Sequence, residues 1–195
     1  MCRLFRNCTL MIIVRDDLIP IEIQDYLHMQ VFGSTDINAM LPLTCKVEPT
    51  AFDGENALPV SFQHVFKSST TNTDHFGNFS KVPQIVFGKL EMNLIDIIQA
   101  RLFITVPHKT KLPHYRPHTD LPLPHLALIY YVNDSDGDTV FFEDKTIENN
   151  FKLVEKQRVS PKKGARVVLF DGSHLHAGGY PTDVPRCIVN YNIHA

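Results

Sequence analysis

The sequence lacks several features that would indicate particular classes of protein, and the first of these is a long apolar run. No hydrophobic stretch approaches the roughly 20 residues that a membrane-spanning helix needs. Residues 1–14 superficially resemble a signal peptide. However, charged residues follow the short apolar run, and no small-residue cleavage site is present. We interpret this segment as a leading β-strand and expect no membrane contact.

Cysteine is also sparse and carries no recognisable pattern. The four cysteines form no CxxC pair and no zinc-like spacing: Cys2, Cys8, Cys45 and Cys187. A disulfide framework of the kind that small secreted domains use is therefore not expected, and a reducing cytoplasm is the predicted location. Cys187 falls within a predicted core strand, where a buried free thiol is the expected state.

An excess of charge of one sign is missing as well. Lys and Arg number 19 against 21 Asp and Glu, for a formal net charge of −2. The basic residues are scattered, whereas a nucleic-acid surface needs them clustered, so this argues against a nucleic-acid partner. Gly-rich phosphate loops, GxSxG and HExxH are absent too. With 195 residues, 44% of them hydrophobic, the composition predicts one soluble globular domain.

What is present is a series of short β-type segments with few helices. Helices are predicted at Ile21–Phe32, stopping at Gly33 and packing outside the β core, and at residues 83–92. Residues 34–78 are dominated by turn formers, which predicts irregular or short-stranded structure. Strands are predicted at 9–14, the later end of 95–106, 127–133, Thr139–Phe142, 151–154, 166–170 and Arg186–His194. Many short strands separated by turns favour a sandwich or jelly roll.

The stretch HYRPHTDLPLPHLALIYYVNDSDGDTVFF contains the first chemical signal, His118 and Asp120, just before a strand. In a strand, residues i and i+2 point to the same face, so both side chains can reach one ion. A histidine and a carboxylate are two thirds of the facial triad that holds non-haem Fe(II). Two histidines, His174 and His176, follow a later strand and compete for the third position, since both would share a face of a straight strand.

Arg186 opens the last strand ten residues beyond His176, and a guanidinium fork there suits a bidentate carboxylate ligand. By alternation, Asn190 and Asn192 share its face and could line the same pocket. Buried amides on that face need hydrogen-bonding partners, which is unexpected for plain core.

The acidic turn NDSDGD, residues 133–138, does not fit an EF-hand, because the position of the required glutamate is occupied by Lys145. We interpret it as a hairpin turn with Gly137 at positive φ. The FDG segment, residues 170–172, is interpreted as the turn that presents the third metal ligand.

Taken in order, PHTD, IYYVNDSDGDT, LFDGSHLHAG and PRCIVNYN resemble the 2-oxoglutarate/Fe(II)-dependent dioxygenase superfamily. They resemble in particular its prolyl-hydroxylase-like members, including those of phages and marine bacteria. The resemblance covers the second half of the chain well and the first half loosely. It implies a double-stranded β-helix, a cupin-like jelly roll flanked by helices, within a single domain of residues 1–195. Residues 1–94 would be helical or irregular support, and residues 95–195 the core barrel with the metal site.

The resemblance also implies roles for individual residues. His118, Asp120 and His176 would bind Fe(II); His176 is chosen because the ligand of the family directly precedes small residues, as in HAG here. His174 would then line the mouth or support the ligands.

The same resemblance implies that Arg186 binds the distal carboxylate of 2-oxoglutarate, with Asn190 nearby. Several relatives have a serine two residues after this arginine; here Ile188 stands there, so the Tyr131 hydroxyl is expected to help. Tyr115 matches a tyrosine at the pocket edge, and Asn192 is a further pocket candidate.

The implied activity is hydroxylation of an unactivated C–H bond with Fe(II), 2-oxoglutarate and O2, supported by ascorbate. Retention of Asp120 favours hydroxylation over halogenation, because halogenating relatives replace this carboxylate. A prolyl residue is the first candidate substrate, within a broader class of peptidyl and small-molecule substrates. Two alternatives fit the same fold: a non-catalytic β-barrel binding module, and a cupin-type metal enzyme that does not use 2-oxoglutarate. No motif indicates an oligomeric state.

Overall fold

The computed structural model describes residues 12–33, 41–47, 50–52, 55–57, 60–110, 112–143 and 153–195. Within them the strands are β1 Ile12–Arg15, β2 Thr44–Val47, β3 Thr50–Phe52, β4 Glu55–Ala57, β5 Val60–Lys67, β6 Asp96–Thr105, β7 Leu126–Tyr131, β8 Thr139–Phe142, β9 Glu155–Val159, β10 Val167–Asp171, β11 His176–Gly178 and β12 Arg186–His194. The helices are α1 Ile21–Phe32, α2 Phe76–Phe79 and α3 Lys81–Lys89.

The strands form two facing sheets and one small ribbon, with every pairing antiparallel. The major sheet has seven strands in the order β1-β10-β7-β12-β6-β5-β2, and the minor sheet has three in the order β11-β8-β9. Among the described strands, β3 and β4 pair with each other and form the ribbon. From β7 onward the chain passes back and forth between the two sheets, which is the arrangement of a jelly roll.

Alternation along the strands separates two hydrophobic cores. The outer face of the major sheet packs against the helices through residues such as Leu128, Val189 and Tyr191, which meet Leu27 of α1 and Phe87 of α3. All five side chains are buried. This apolar layer leaves the other face of the major sheet free to form the interior between the two sheets.

The inner core lies between the sheets and is interrupted by polar groups. Its apolar part contains Ile129, Tyr131, Phe141, Phe170 and Ile188. Towards β6 and the middle of β12, polar and charged side chains replace the apolar ones. A face-to-face pairing of two sheets would normally bury apolar side chains throughout, so this polar region is a candidate site.

The predicted elements agree closely with the observed ones in the second half of the chain. There the bounds of β8 and β12 are those predicted, and β7 and β10 differ by one or two residues. Strand β6 fills nearly all of residues 95–106, not only their later end as predicted. In the first half of the chain, the bounds of α1 are those predicted. Helix α3 begins earlier than predicted and ends at Lys89, because Glu91 adopts φ 54°, which a helix cannot continue through. The first strand is observed from Ile12; residues 9–11 lie outside the described residues.

The part of the chain before residue 95 also contributes strands to the major sheet. Strands β1, β2 and β5 precede it and belong to the major sheet, so the first half supplies sheet as well as support. Strand β5 was hidden within the predicted irregular region because His64 occupies one of its core-facing positions. The His64 ring is buried and its nitrogens contact the Pro42 carbonyl oxygen and the Thr73 hydroxyl. Part of residues 34–78 lies outside the described residues.

Strand β9 was predicted too early. The prediction of residues 151–154 fails at 153–154, which are not in a strand, while 151–152 lie outside the described residues. The observed strand, Glu155–Val159, has the sequence EKQRV and is largely exposed. Because the residues of such a polar segment have a low intrinsic preference for strands, this segment is a strand through its pairing with β8.

The acidic turn is not a hairpin, and this prediction is wrong. Strand β7 before it lies in the major sheet and β8 after it lies in the minor sheet, so the turn connects two sheets. Nor does Gly137 have a positive φ. Glycine is needed there for space, since a Cβ at Gly137 would lie 2.9 Å from Arg186 Cδ and 3.0 Å from the Gly179 carbonyl oxygen.

Two further observations concern thiols and membranes. Cys45 is a free exposed cysteine and Cys187 a free buried one; Cys2 and Cys8 lie outside the described residues. Among the described helices, none combines the length and the apolar character needed to cross a bilayer.

Candidate functional site

Main-chain pairing brings two distant histidines together. The amide of His118 donates to the carbonyl oxygen of His176 at 2.9 Å, and the amide of His176 donates back at 3.0 Å. Tyr115 and His114 make similar contacts further along β11, with Gly178 and Gly179 respectively. The segment before β7 therefore extends the edge of the minor sheet and sets the two imidazoles side by side.

His118, Asp120 and His176 converge on one point. Their ligand atoms all lie within 4.8 Å of one another. Nε2 of His118 is 3.8 Å from Oδ1 of Asp120, and Nε2 of His176 is 4.0 Å from Oδ2. This set, which we call the metal end, has the composition of a two-histidine, one-carboxylate facial triad.

Hydrogen bonds orient both imidazoles for metal binding. Nδ1 of His118 is 3.1 Å from the carbonyl oxygen of Arg116, and Nδ1 of His176 is 3.0 Å from that of His174. A proton on each Nδ1 leaves each Nε2 lone pair directed at the common point. Burial lowers the pKa of His176 to about 4, so its imidazole is neutral at physiological pH, as a metal ligand must be.

Asp120 is the buried centre of this arrangement, with a side chain only 2% exposed. Its Oδ2 accepts a 2.9 Å hydrogen bond from Nδ2 of Asn190, and its Oδ1 lies 3.7 Å from Nη2 of Arg101. Burial raises the pKa of the carboxyl, but His176, the Asn190 hydrogen bond, His118 and Arg101 together outweigh burial and lower it. The carboxylate is therefore ionised and available to a cation.

Arg186 lies in the same interior, at its closed side. The side chain is buried; Nε donates to the carbonyl oxygen of Gly137 and Nη2 to the Thr139 hydroxyl oxygen, each at 2.8 Å. No carboxylate among the described residues forms an ion pair with it. Burial lowers the pKa of the guanidinium, yet an arginine remains charged. A buried charge without a counter-ion is costly, so the site is suited to an anionic ligand.

A hydroxyl chain completes this arginine end, which we define as Arg186, Thr139 and Tyr131. The fully buried Tyr131 donates its hydroxyl to Oγ1 of Thr139 at 2.7 Å, the atom that also accepts from Arg186. With both lone pairs occupied, the Thr139 hydroxyl keeps its own proton to donate. The sequence-based prediction placed the Tyr131 hydroxyl near Arg186; the structure adds Thr139 as the link.

The remaining predicted pocket residues are distributed differently. Tyr115 lies near the arginine end, where its ring approaches Gly178 and packs on Tyr180 with centroids 4.1 Å apart. Asn190 contacts Asp120 at the metal end, although the prediction placed it beside Arg186. Asn192 is buried two residues further along β12, and its Nδ2 donates to Gln99 Oε1 at 3.2 Å.

His174 is neither a ligand nor a mouth residue. Its ring is fully buried and Nε2 is 3.0 Å from the carbonyl oxygen of Phe142. The strand does not run straight through residues 174–176, because Asp171 Oδ1 closes a turn by accepting from the amide and hydroxyl of Ser173. Only His176 reaches β11. His174 contributes through its carbonyl oxygen, which holds the His176 ring.

Sequence reasoning missed two residues of the site, Thr139 and Arg101. Thr139 is the first residue of a predicted strand, and its position directly after the turn that contains Gly137 was the available signal. Arg101 lies in the middle of the largely apolar strand β6, DIIQARLFIT, and a positive charge inside such a run was the available signal.

No protein-family model matches the sequence, and no curated protein matches it either. Solved structures do match the fold. A prolyl-4-hydroxylase of Pseudomonas putida is 13% identical, with a TM-score of 0.57, covering 96% of this chain and 94% of that one. A prolyl hydroxylase of Trichoplax adhaerens, solved with a hypoxia-inducible-factor peptide fragment, is 12% identical, with a TM-score of 0.54, covering 93% and 82%.

A third structure, the non-haem α-ketoglutarate-dependent epimerase SnoN of nogalamycin biosynthesis, is 11% identical, with a TM-score of 0.60, covering 93% of this chain and 77% of that one. At identities this low, the TM-scores show a shared fold but not a shared reaction, so the reaction must be inferred from the residues of the site. The chain therefore has the double-stranded β-helix fold of the 2-oxoglutarate/Fe(II) oxygenases, as the resemblance in its sequence predicted.

Proposed function

We propose that the protein is an Fe(II)- and 2-oxoglutarate-dependent dioxygenase that hydroxylates an unactivated C–H bond. One observation carries the proposal. Within a single interior, a two-histidine, one-carboxylate set lies on the same face of the fold as a buried arginine that has no carboxylate partner among the described residues. A metal alone would explain the three converging ligands but not the buried arginine. A metal together with a dicarboxylic cosubstrate explains both.

The residues present fit both groups. Two Nε2 atoms and one carboxylate suit Fe(II) and leave other coordination positions open. The buried guanidinium and the Thr139 hydroxyl are donors for the far carboxylate of 2-oxoglutarate. When bound, Fe(II) and 2-oxoglutarate would supply the oxidation, in which 2-oxoglutarate and O2 are converted to succinate and CO2 as the substrate is hydroxylated.

The chain itself contributes orientation and exclusion of water. Asn190 and the two main-chain carbonyls fix the ligand side chains, and Arg186 would fix the far end of the cosubstrate. Phe170, whose ring centroid is 4.9 Å from that of His176, and Phe141 shield the buried histidine. His118, with 52% of its side chain exposed, marks the open side by which substrate and O2 would enter.

The two alternative interpretations explain less of this geometry. A non-catalytic module has no need of the three converging ligands, and a cupin-type enzyme without 2-oxoglutarate leaves the Arg186 charge unmatched.

We further propose that residues 1–195 act as one domain in a reducing compartment such as the cytoplasm, consistent with free Cys45 and Cys187. A prolyl group, in a peptide or free, remains the first substrate to test.

The test is succinate release by the purified protein with Fe(II), ascorbate, 2-oxoglutarate and candidate substrates. We expect Asp120→Ala and His176→Ala each to abolish turnover and to lose Mn(II) binding measured by calorimetry. Asp74→Ala and His194→Ala, at exposed positions, are the matched controls and should retain both. Full turnover in Asp120→Ala or His176→Ala would refute the proposal. So would a wild-type protein that binds metal but shows no thermal shift with 2-oxoglutarate.

A further inference from the structure

Arg101 lies at the open side of the metal end and is not one of the three candidate metal ligands. It is on β6, opposite Asn190 of β12, and its side chain is 25% exposed. Its guanidinium carbon lies 5.2 Å from the centroid of the Phe103 ring, a cation–π contact that holds it over the inner face of the sheet. A positive charge is thus fixed beside the metal site, on a different strand from Arg186.

The donors of this guanidinium are largely unused. Its Nη2 lies 3.7 Å from Asp120 Oδ1, which is too long for a hydrogen bond. Its Nε is buried and has no partner among the described residues. An arginine whose only task was to position Asp120 would be expected to bond that carboxylate directly and bidentately. The geometry is instead that of a donor group directed to something absent from the chain.

Acceptors without donors lie next to it. Oδ1 of Asn190 and Oδ1 of Asn192 are buried and have no partner among the described residues. Their Nδ2 atoms are already committed, one to Asp120 and the other to Gln99. Buried acceptors of this kind are normally satisfied, and here they share an inner strand face with the Asn190–Arg101 pair. The metal site is therefore flanked by one cationic donor and two neutral acceptors.

We propose that this arrangement recognises a small carboxylic acid with an adjacent N–H donor, of which free α-amino acids are the simplest class. The carboxylate binds Arg101, and the ammonium group donates to the Oδ1 atoms of Asn190 and Asn192. The inference rests on the proposed function, because it places the substrate beside the metal end and opposite the arginine end. A blocked internal residue of a peptide, which has no carboxylate, would leave Arg101 unmatched.

The charge of Arg101 supports a carboxylate at this position, because a guanidinium fork can bind a carboxylate bidentately. Because this region is largely buried, the pairing is worth more than it would be in water.

The experiment uses Mn(II) in place of Fe(II), so that binding is measured without turnover. The full chain, saturated with Mn(II) and 2-oxoglutarate, is titrated calorimetrically with each of the twenty L-amino acids and with their C-terminal amides. An acetylated and amidated Gly-Pro-Gly peptide is the third probe. We expect at least one free acid to bind, and its amide to bind at least about tenfold more weakly because a charge-assisted bond is lost.

Variants of Arg101 then assign the discrimination. Arg101→Gln should lower the affinity for the acid to that for its amide, and Arg101→Lys should restore part of it. The affinity for 2-oxoglutarate should stay unchanged, and any change in Mn(II) affinity should be smaller than the change in amino-acid affinity, because Arg101 lies 3.7 Å from Asp120 without a hydrogen bond to it. Arg15→Gln, on the exposed edge strand β1, is the matched control and should behave like the wild type.

Several outcomes would overturn the proposal. These are binding of no free acid, equal binding of acids and amides, or preferential binding of the blocked peptide. A loss of Mn(II) affinity in Arg101→Gln as large as the loss of amino-acid affinity would show that Arg101 only positions Asp120. If the wild type fails to bind 2-oxoglutarate yet still distinguishes acids from amides through Arg101, the proposed oxygenase function fails and the carboxylate site stands.

Discussion

The two ends of the interior differ in how open they are and in which strands build them. The metal end joins the edge of the minor sheet to β6 and β12 of the major sheet, and half of the His118 side chain reaches solvent. The arginine end is sealed: Arg186 is 5% exposed, and Thr139 and Tyr131 less than that. One end is therefore accessible to a changing ligand, and the other is built for a constant one.

This difference indicates a division of labour between the ends. Hydrogen bonds and charge are worth most where water is excluded, so a cosubstrate common to every turnover is best anchored at the sealed end. Variable substrates must enter and leave, which suits the open end with Arg101 and His118. The comparison predicts that the two ends can be disabled separately.

The largest separation is expected from Arg186→Gln. Removing one partner of a buried charge-assisted contact costs about 2–5 kcal/mol, so 2-oxoglutarate affinity should fall by about thirtyfold or more. Mn(II) affinity should remain unchanged, because Arg186 does not contact the triad. Calorimetric titrations of Mn(II), and of 2-oxoglutarate at saturating Mn(II), measure the two effects. Arg158→Gln, which removes an exposed ion pair with Glu155, is the control. A parallel loss of both affinities would contradict the separation of the ends.

A smaller effect is expected from Asn190→Ala, and it should be on metal affinity, at the other end of the interior. The variant removes the 2.9 Å hydrogen bond to Asp120, and loss of such a supporting contact lowers metal affinity by about tenfold or more. The measurement is the Mn(II) dissociation constant, with the exposed Asn93→Ala as control. An unchanged Mn(II) affinity would mean that Asp120 is held by its burial alone.

The smallest effect concerns acid stability near the arginine end, where Asp136 binds the loop that leads into Arg186. Burial raises the pKa of Asp136, but hydrogen bonds from the Thr182 hydroxyl and from the amides of Thr182 and Val184 outweigh it and lower the pKa to about 2. Since the folded state favours the ionised form, this contribution is complete above the ordinary value of 3.8 and is lost as the pH falls towards 2.

Asp136→Asn should therefore flatten the pH dependence of the free energy of unfolding between about pH 4 and pH 2. Chemical denaturation of the metal-free protein measures it, so that release of metal does not contribute. Asp74→Asn, at an exposed position, is the control. A slope unchanged in Asp136→Asn would show that the loop is held by other contacts.

The sequence predicted more of the site than of the surrounding sheet. The alternation of Arg186, Asn190 and Asn192 is a local property of strand β12, and these residues do share a face of the interior. His118 and Asp120 also converge as predicted, although His118 forms an isolated bridge and Asp120 lies in a bend, outside the named strands. Strand β5 was missed because a buried histidine occupies a core position, and β9 because a charged segment pairs only in context. Arg101 was overlooked because its significance depends on Asp120, nineteen positions along the chain, and on Asn190.

The sequence by itself determined the β-rich class, the α1 helix and the identities of the candidate ligands, because periodicity and turn chemistry act over a few residues. Only the tertiary structure decided between His174 and His176, since a turn closed by Asp171 rotates one of them out of the site. It also decided that Asn190 supports Asp120 and that Thr139 joins Tyr131 to Arg186. Those contacts depend on the registers of β6, β7 and β12 and on the packing of two sheets, which no local pattern specifies.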